Sequence, residues 1–105
     1  MSAQSAFDPI RIGPLQLRNR FIKSGANEGM AKGGVPSKML VEHHRGIAAG
    51  GAAMTTVAYC AVSADGRTFV DQVQLEPGSV KHLRVLTDAV HGEGAAVCVA
   101  RARQR

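Results

Sequence analysis

Few side chains in this 105-residue chain are of types that do chemistry on their own. Four histidines (His43, His44, His82, His91) and two cysteines (Cys60, Cys98) are the first to weigh as metal ligands or nucleophiles. All four histidines fall where helices are expected, and neighbours such as His43 and His44 diverge by about 100° around a helix axis. Packed or solvated imidazoles are expected there, and no metal site. The cysteines lie 38 residues apart without a CxxC pair, which argues against a zinc site or a disulfide framework and for buried, inert thiols on strands. A different signal comes from Ser24-Gly25-Ala26-Asn27, where small residues follow the bulky Phe21 and Ile22. Another group must approach the backbone closely at that point.

The elements that would hold these residues follow from periodicity. Ile10 and Ile12, then Gly13-Pro14, then Leu15 and Leu17 alternate apolar and polar positions about a turn, the pattern of a β-hairpin with one covered face. A strand at Phe21-Ile22 follows, then a loop over Ala31 to Pro36 marked by Gly33-Gly34. Ser37 caps a helix whose apolar face carries Leu40, Val41, His44, Ile47 and Ala48, and Gly50-Gly51 stops it. The run Ala52 to Val62 reads as a strand covered on both faces, and Ser63-Ala64-Asp65-Gly66 as a turn. Pro77-Gly78-Ser79 starts a second helix with a stripe of Val80, Leu83, Leu86 and Val90. It ends at His91-Gly92, before a last strand at Ala95 to Ala100. Strands beginning near Arg20, Ala53 and Ala95 are spaced for parallel pairing through crossover helices, so the fold class is α/β. No G-x-G-x-x-G or Walker pattern follows the first strand, and Gly50-Gly51 sits at a helix C-terminus, whose partial charge repels phosphate.

Composition sets the class: 45% of residues are hydrophobic and 20% charged, as in soluble globular domains. No run approaches the roughly 20 apolar residues that span a bilayer, and the start lacks a secretory pattern. A cytoplasmic location is expected. The net charge of +5 raises the question of nucleic acid, but Arg101, Arg103 and Arg105 carry much of it. Without them 10 basic side chains face 8 acidic ones, and with no Trp and one Tyr the chain lacks stacking platforms for bases. The alternative reading is a small basic binding module that contacts nucleic acid or an acidic partner through its Arg-rich tail.

Four stretches in series carry a family resemblance. They are Phe7-Asp8-Pro9-Ile10-Arg11-Ile12-Gly13-Pro14-Leu15-Gln16-Leu17-Arg18-Asn19-Arg20-Phe21-Ile22-Lys23, then Gly34-Val35-Pro36-Ser37, then His43-His44-Arg45 with Ala48-Ala49-Gly50-Gly51, and finally Val62-Ser63-Ala64-Asp65-Gly66-Arg67. Together they resemble the N-terminal portion of the old yellow enzyme family of NADH:flavin oxidoreductases. The resemblance implies a (β/α)₈ TIM barrel led by a hairpin that closes its floor, with FMN at the C-terminal mouth. The chain would be truncated after about three barrel strands, with residues 7–99 as the barrel portion. Ser24, Gly25, Ala26 and Asn27 would then lie at the end of the first barrel strand, against the flavin. Asn27 matches a position where relatives place a hydrogen-bond donor near a flavin carbonyl, although Asn also favours strand-end turns. Ala58 and Tyr59 match the second strand end. Tyr59 stands where a small residue is usual, and either faces the flavin or substrate cavity or anchors the barrel rim.

For an intact relative the resemblance implies hydride transfer from NAD(P)H through FMN to an activated alkene. The substrate-orienting His pair, proton-donating Tyr, flavin-contacting Arg and phosphate loop would all lie beyond residue 105, so no catalytic residue is assigned here and the chain alone is expected to be inactive. After Val97-Cys98-Val99 the expected Gln is Ala100, and residues 100–105 read as a basic tail outside the family pattern, as a frameshift would produce. A partial barrel also leaves a sheet edge open to self-association.

Overall fold

Alternation about Gly13-Pro14 produces the hairpin it predicts: β1 (Ile10–Ile12) pairs antiparallel with β2 (Leu15–Leu17), Ile10 opposite Leu17. The computed structural model describes residues 5–26, 28–62 and 72–102. Gly13 adopts φ 56°, as the first central position of a two-residue hairpin loop requires. Only one end of the hairpin is covered. Leu17 is buried against Ala53 and Met54, with Ile10 and Ala96 beside it, while Ile12 and Leu15 are exposed.

The strand expected at Phe21-Ile22 is reduced to one parallel bridge, Ile22 to Met54, flanked by bonds from Ala53 N to Phe21 O (2.9 Å) and from Lys23 N to Met54 O (3.0 Å). Beyond it the Lys23 ammonium donates to the carbonyls of Ser24 (2.9 Å) and Thr56 (3.4 Å), so a side chain continues the attachment where the backbone ladder stops. The loop expected at 31–36 is instead a second hairpin, β3 (Ala31–Lys32) with β4 (Val35–Pro36). Its physical cause is Gly33-Gly34, whose φ angles of 58° and 83° match the left-handed pair a tight hairpin turn needs.

Helix α1 (Lys38–Ala49) begins where Ser37 accepts a bond from Leu40 N, and buries Leu40, His44 and Ala48 on one stripe. It ends at Gly50, and Gly51 reverses the chain at φ 114°. Strand β5 (Met54–Ala61) follows, and every side chain described along it is buried, as expected of a strand covered on both faces. A single 3₁₀ turn at Pro77–Ser79 leads into α2 (Val80–Gly92), which buries Leu86 and Val90 with Leu83 half-buried. Val80, expected on that stripe, is 52% exposed: it is the first residue of the helix, a turn or more ahead of the buried Leu86 and Val90.

Strand β6 (Ala96–Ala102) closes the crossover by pairing parallel to β5, Met54 opposite Ala96 through Val57 opposite Val99, then Cys60 opposite Arg101. The principal core lies between this pair and the helices: Leu40, Ala48, Val57, Cys60, Leu86 and Val90. The segment around Gln74 ties the end of β5 to the second hairpin, through Ala61 N to Val73 O, Leu75 N to Ala61 O and Gln74 N to Gly34 O, each 2.7 Å. Among the described residues no helix is long and apolar enough to cross a membrane.

At the opposite end of the strands, one guanidinium gathers three carbonyls. Arg18 donates through Nη2 to Ala48 O (2.6 Å) and Ala52 O (2.9 Å), and through Nη1 to Glu93 O (2.8 Å). Asn19 Nδ2 adds a bond to Gly51 O (2.7 Å). Ala48 and Glu93 sit at the C-terminal ends of α1 and α2, where carbonyls lack helical partners and the dipole is negative. Arg18→Met should therefore lower the chain's unfolding free energy by about 2–3 kcal/mol, read from its urea midpoint. Arg18→Lys should recover only a fraction, because one ammonium does not span the three acceptors.

Candidate functional site

Of the residues expected at the flavin, Gly25 and Ala58 meet where the strands end. A Cβ built on Gly25 would stand 3.0 Å from Ala58 Cβ and 3.7 Å from both Ala100 Cβ and Thr56 Cγ2. The backbone at Gly25 therefore lies directly on the ends of β5 and β6, and no side chain fits between. Ser24, Gly25 and Ala26 are exposed and Ala58 is buried. The ladder is irregular at the same level: between Val57–Val99 and Cys60–Arg101, the two residues Ala58 and Tyr59 face the single Ala100. Such bulges gather at barrel rims and beside active sites. Asn27 lies outside the described residues, as does the side chain of Tyr59.

Beside this wall is a polar cluster that the pattern of the chain did not announce. The Glu28 carboxylate, with 4% of its side chain exposed, stands 3.2 Å from Lys23 Nζ, 3.3 Å from His43 Nε2 and 2.9 Å from His44 Nε2. The His44 ring is fully buried, and its Nδ1 lies 2.6 Å from Thr55 Oγ1. Its Nε2–H donates to the carboxylate, which can only accept, and the Thr55 hydroxyl, able to donate or accept, faces Nδ1. His43 and His44, although adjacent on α1, both turn to one carboxylate, their rings 5.1 Å apart and edge to face. Burial alone would raise the Glu28 pKa, but the hydrogen bonds and charges of His44 and Lys23 outweigh it and hold the group below the usual carboxylate range. The one sequence signal was a histidine on an apolar stripe, which needs a buried partner; the partner's identity lay in a separate loop.

The two thiols differ from each other. Burial, with the nearby Glu28 charge, pushes Cys60 up to about 11, so it is an inert thiol as expected. Cys98 is exposed, contrary to expectation, because its side chain leaves the sheet beside Thr56 (Oγ1 to Sγ 3.2 Å) on the face away from the helices. A separate groove of about 580 Å³ between the second hairpin and the start of α1, bordered by His82, involves none of the wall residues.

This geometry has close counterparts. The chain superposes on the old yellow enzyme homologue NCR of Zymomonas mobilis with a TM-score of 0.86 at 22% identity, covering 96% of this chain and 28% of that one. Old Yellow Enzyme from Pichia sp. gives 0.87 at 13% identity over 93% of this chain and 26% of that one. Morphinone reductase in complex with tetrahydroNAD gives 0.86 at 18% over 96% and 28%. The fold is thus the opening portion of a TIM barrel of the old yellow enzyme class, with β5 and β6 as consecutive barrel strands and no closed barrel among the described residues.

Residues 5–102 match the NADH:flavin oxidoreductase / NADH oxidase family, and the chain belongs to it. It is 52% identical over 91 residues to a 4,4'-dithiodibutanoate disulfide reductase of Rhodococcus erythropolis, covering 87% of this chain and 23% of that protein. A metal reductase of Desulforamulus reducens is 39% identical over 95 residues, with 87% and 14% covered. The chain thus spans less than a quarter of the length of either reductase.

Because its folded pKa is depressed, Glu28 stabilises the fold above the ordinary carboxylate range, and the stabilisation is lost as pH falls through the folded value. Glu28→Gln should lower the urea midpoint at pH 7, by the equivalent of about 1–3 kcal/mol. The gap between variant and parent should narrow as the solution is taken below about pH 4; an equal gap at both pH values would remove the ion pair as its cause.

Proposed function

We propose that these residues form one wall of the cofactor site of an FMN-dependent NAD(P)H oxidoreductase that acts on a small-molecule substrate in the cytoplasm. The observation that carries this reading is the convergence of Gly25, Ala58 and Ala100 at the bulged strand ends, which makes a surface of backbone and methyl groups of the kind a flat ring lies against. Ser24, Gly25, Ala26 and Ala58 would hold the ring by contact and backbone bonds, Asn27 would offer an amide to a ring carbonyl, and Tyr59 would border the ring or the substrate. Held there, FMN would supply hydride-transfer chemistry between NAD(P)H and an electron-poor acceptor such as an activated alkene. The chain's own share is positioning and exclusion of water. No proton donor is assigned among its residues, so the chain alone should be inactive.

Titration of FMN with the chain should quench flavin fluorescence saturably but weakly, and Ala26→Trp, which places a bulky ring on the exposed wall, should abolish the quenching. Unchanged quenching in that variant would refute the assignment. NADH oxidation by the chain with added FMN should not exceed that of free FMN.

The same reading leaves one edge of β6, with Val99 exposed, open to pairing. Sedimentation velocity should show association that grows with concentration; a sharp monomer at all concentrations would count against an unfinished sheet.

A further inference from the structure

The geometry points to a divalent transition-metal site, of the zinc class, formed by Glu28, His43 and His44. Their ligand atoms all lie within 4.8 Å of one another. The edge of a zinc tetrahedron built from bonds of about 2.0–2.1 Å is roughly 3.3 Å. His43 Nε2 stands 3.3 Å and His44 Nε2 2.9 Å from Glu28 Oε2, so two of the three edges are already near ligating length, and the third is within 4.8 Å.

Two further observations favour an ion over mere packing. Glu28 Oε2 is sealed from solvent yet makes no well-aligned hydrogen bond, although three nitrogens surround it. A metal would satisfy it along the lone pair. Thr55 Oγ1, 2.6 Å from His44 Nδ1, is placed as the outer partner of a ligating imidazole: with metal on Nε2, the ring proton sits on Nδ1 and is donated to the hydroxyl. Two imidazoles and one carboxylate suit zinc and its neighbours, and are poor ligands for magnesium or calcium. His43 is half-buried, so the fourth position opens toward solvent.

Lys23 opposes the ion. Its ammonium is 3.2 Å from the same carboxylate oxygen and holds the cluster together without metal. Removing that charge should tighten binding by roughly tenfold.

The test is titration of the 105-residue chain with Co²⁺, followed by visible ligand-field absorption, and with Zn²⁺, followed by calorimetry. We expect one equivalent bound, loss of both signals in His43→Ala, and tighter binding in Lys23→Gln, which keeps all three ligands and covers the case in which His43→Ala does not fold. No cobalt absorption in the parent chain, absorption unchanged by His43→Ala, or absorption abolished by Cys98→Ser would each overturn the site.

Discussion

The Arg18 guanidinium is the contact on which the arrangement depends. Because α1 and α2 each return antiparallel to the strands they connect, their C-termini meet at the same end of the sheet. That end accumulates carbonyl oxygens that the helices cannot satisfy. Arg18 draws Ala48, Ala52 and Glu93 to a single cation and, being next to Leu17, seats the first hairpin under Met54 and Ala96 with the same stroke. Gly94 accommodates this closely: a Cβ there would meet Arg18 Nη1 at 2.8 Å. Holding the lower end so firmly leaves the opposite end, where Gly25 and Ala58 meet, free to be built from small side chains that contribute little packing of their own. Barrels divide stability and chemistry between their two faces in this way.

The polar interior follows a second division. Residues 24–26 offer backbone and exposed small groups, while Lys23 and Glu28, on either side of them in sequence, turn back to Thr56, His43 and His44. This short stretch is therefore pinned at both ends by charged side chains held in a nearly closed pocket. Such a pair is strongly destabilising to break from one side only, which gives the segment a defined path although a single parallel bridge is all that joins it to β5 by ladder.

What the chain discloses on inspection is the local part. Period-two alternation about Gly13-Pro14, the Ser37 cap and the apolar stripes of both helices depend on neighbours in sequence, and each appears in the structure where the pattern puts it, save that Val80 at the start of α2 is exposed. The close approach at Gly25 was legible for the same reason, since small size alone marks it, whereas Ala58 was pointed to only by the family resemblance. Gly33-Gly34 shows the limit: a glycine pair signals a turn, but whether hydrogen-bonded strands flank it depends on what packs nearby, here the Gln74 segment against Gly34. The Glu28–His44 contact and the reach of Arg18 across to Glu93 join residues that only the fold brings together, and no periodicity encodes them. The His43–His44 pair was read from helix geometry at the Cβ, whereas long side chains converge beyond it.

The bulge at Ala58-Tyr59 has an effect on handing out the two sides of β5. Before it, odd-numbered residues face the helices: Thr55 meets His44, and Val57 enters the core. After it, Cys60 occupies that side instead. One surplus residue thus shifts the parity of the strand, and a regular strand would have turned the Cys60 sulfur inward, to the side where Ala58 meets Gly25. The irregularity turns the Cys60 sulfur to the helix side and encloses it among aliphatic groups, which leaves Cys98, on the opposite face beside Thr56, as the thiol that meets solvent.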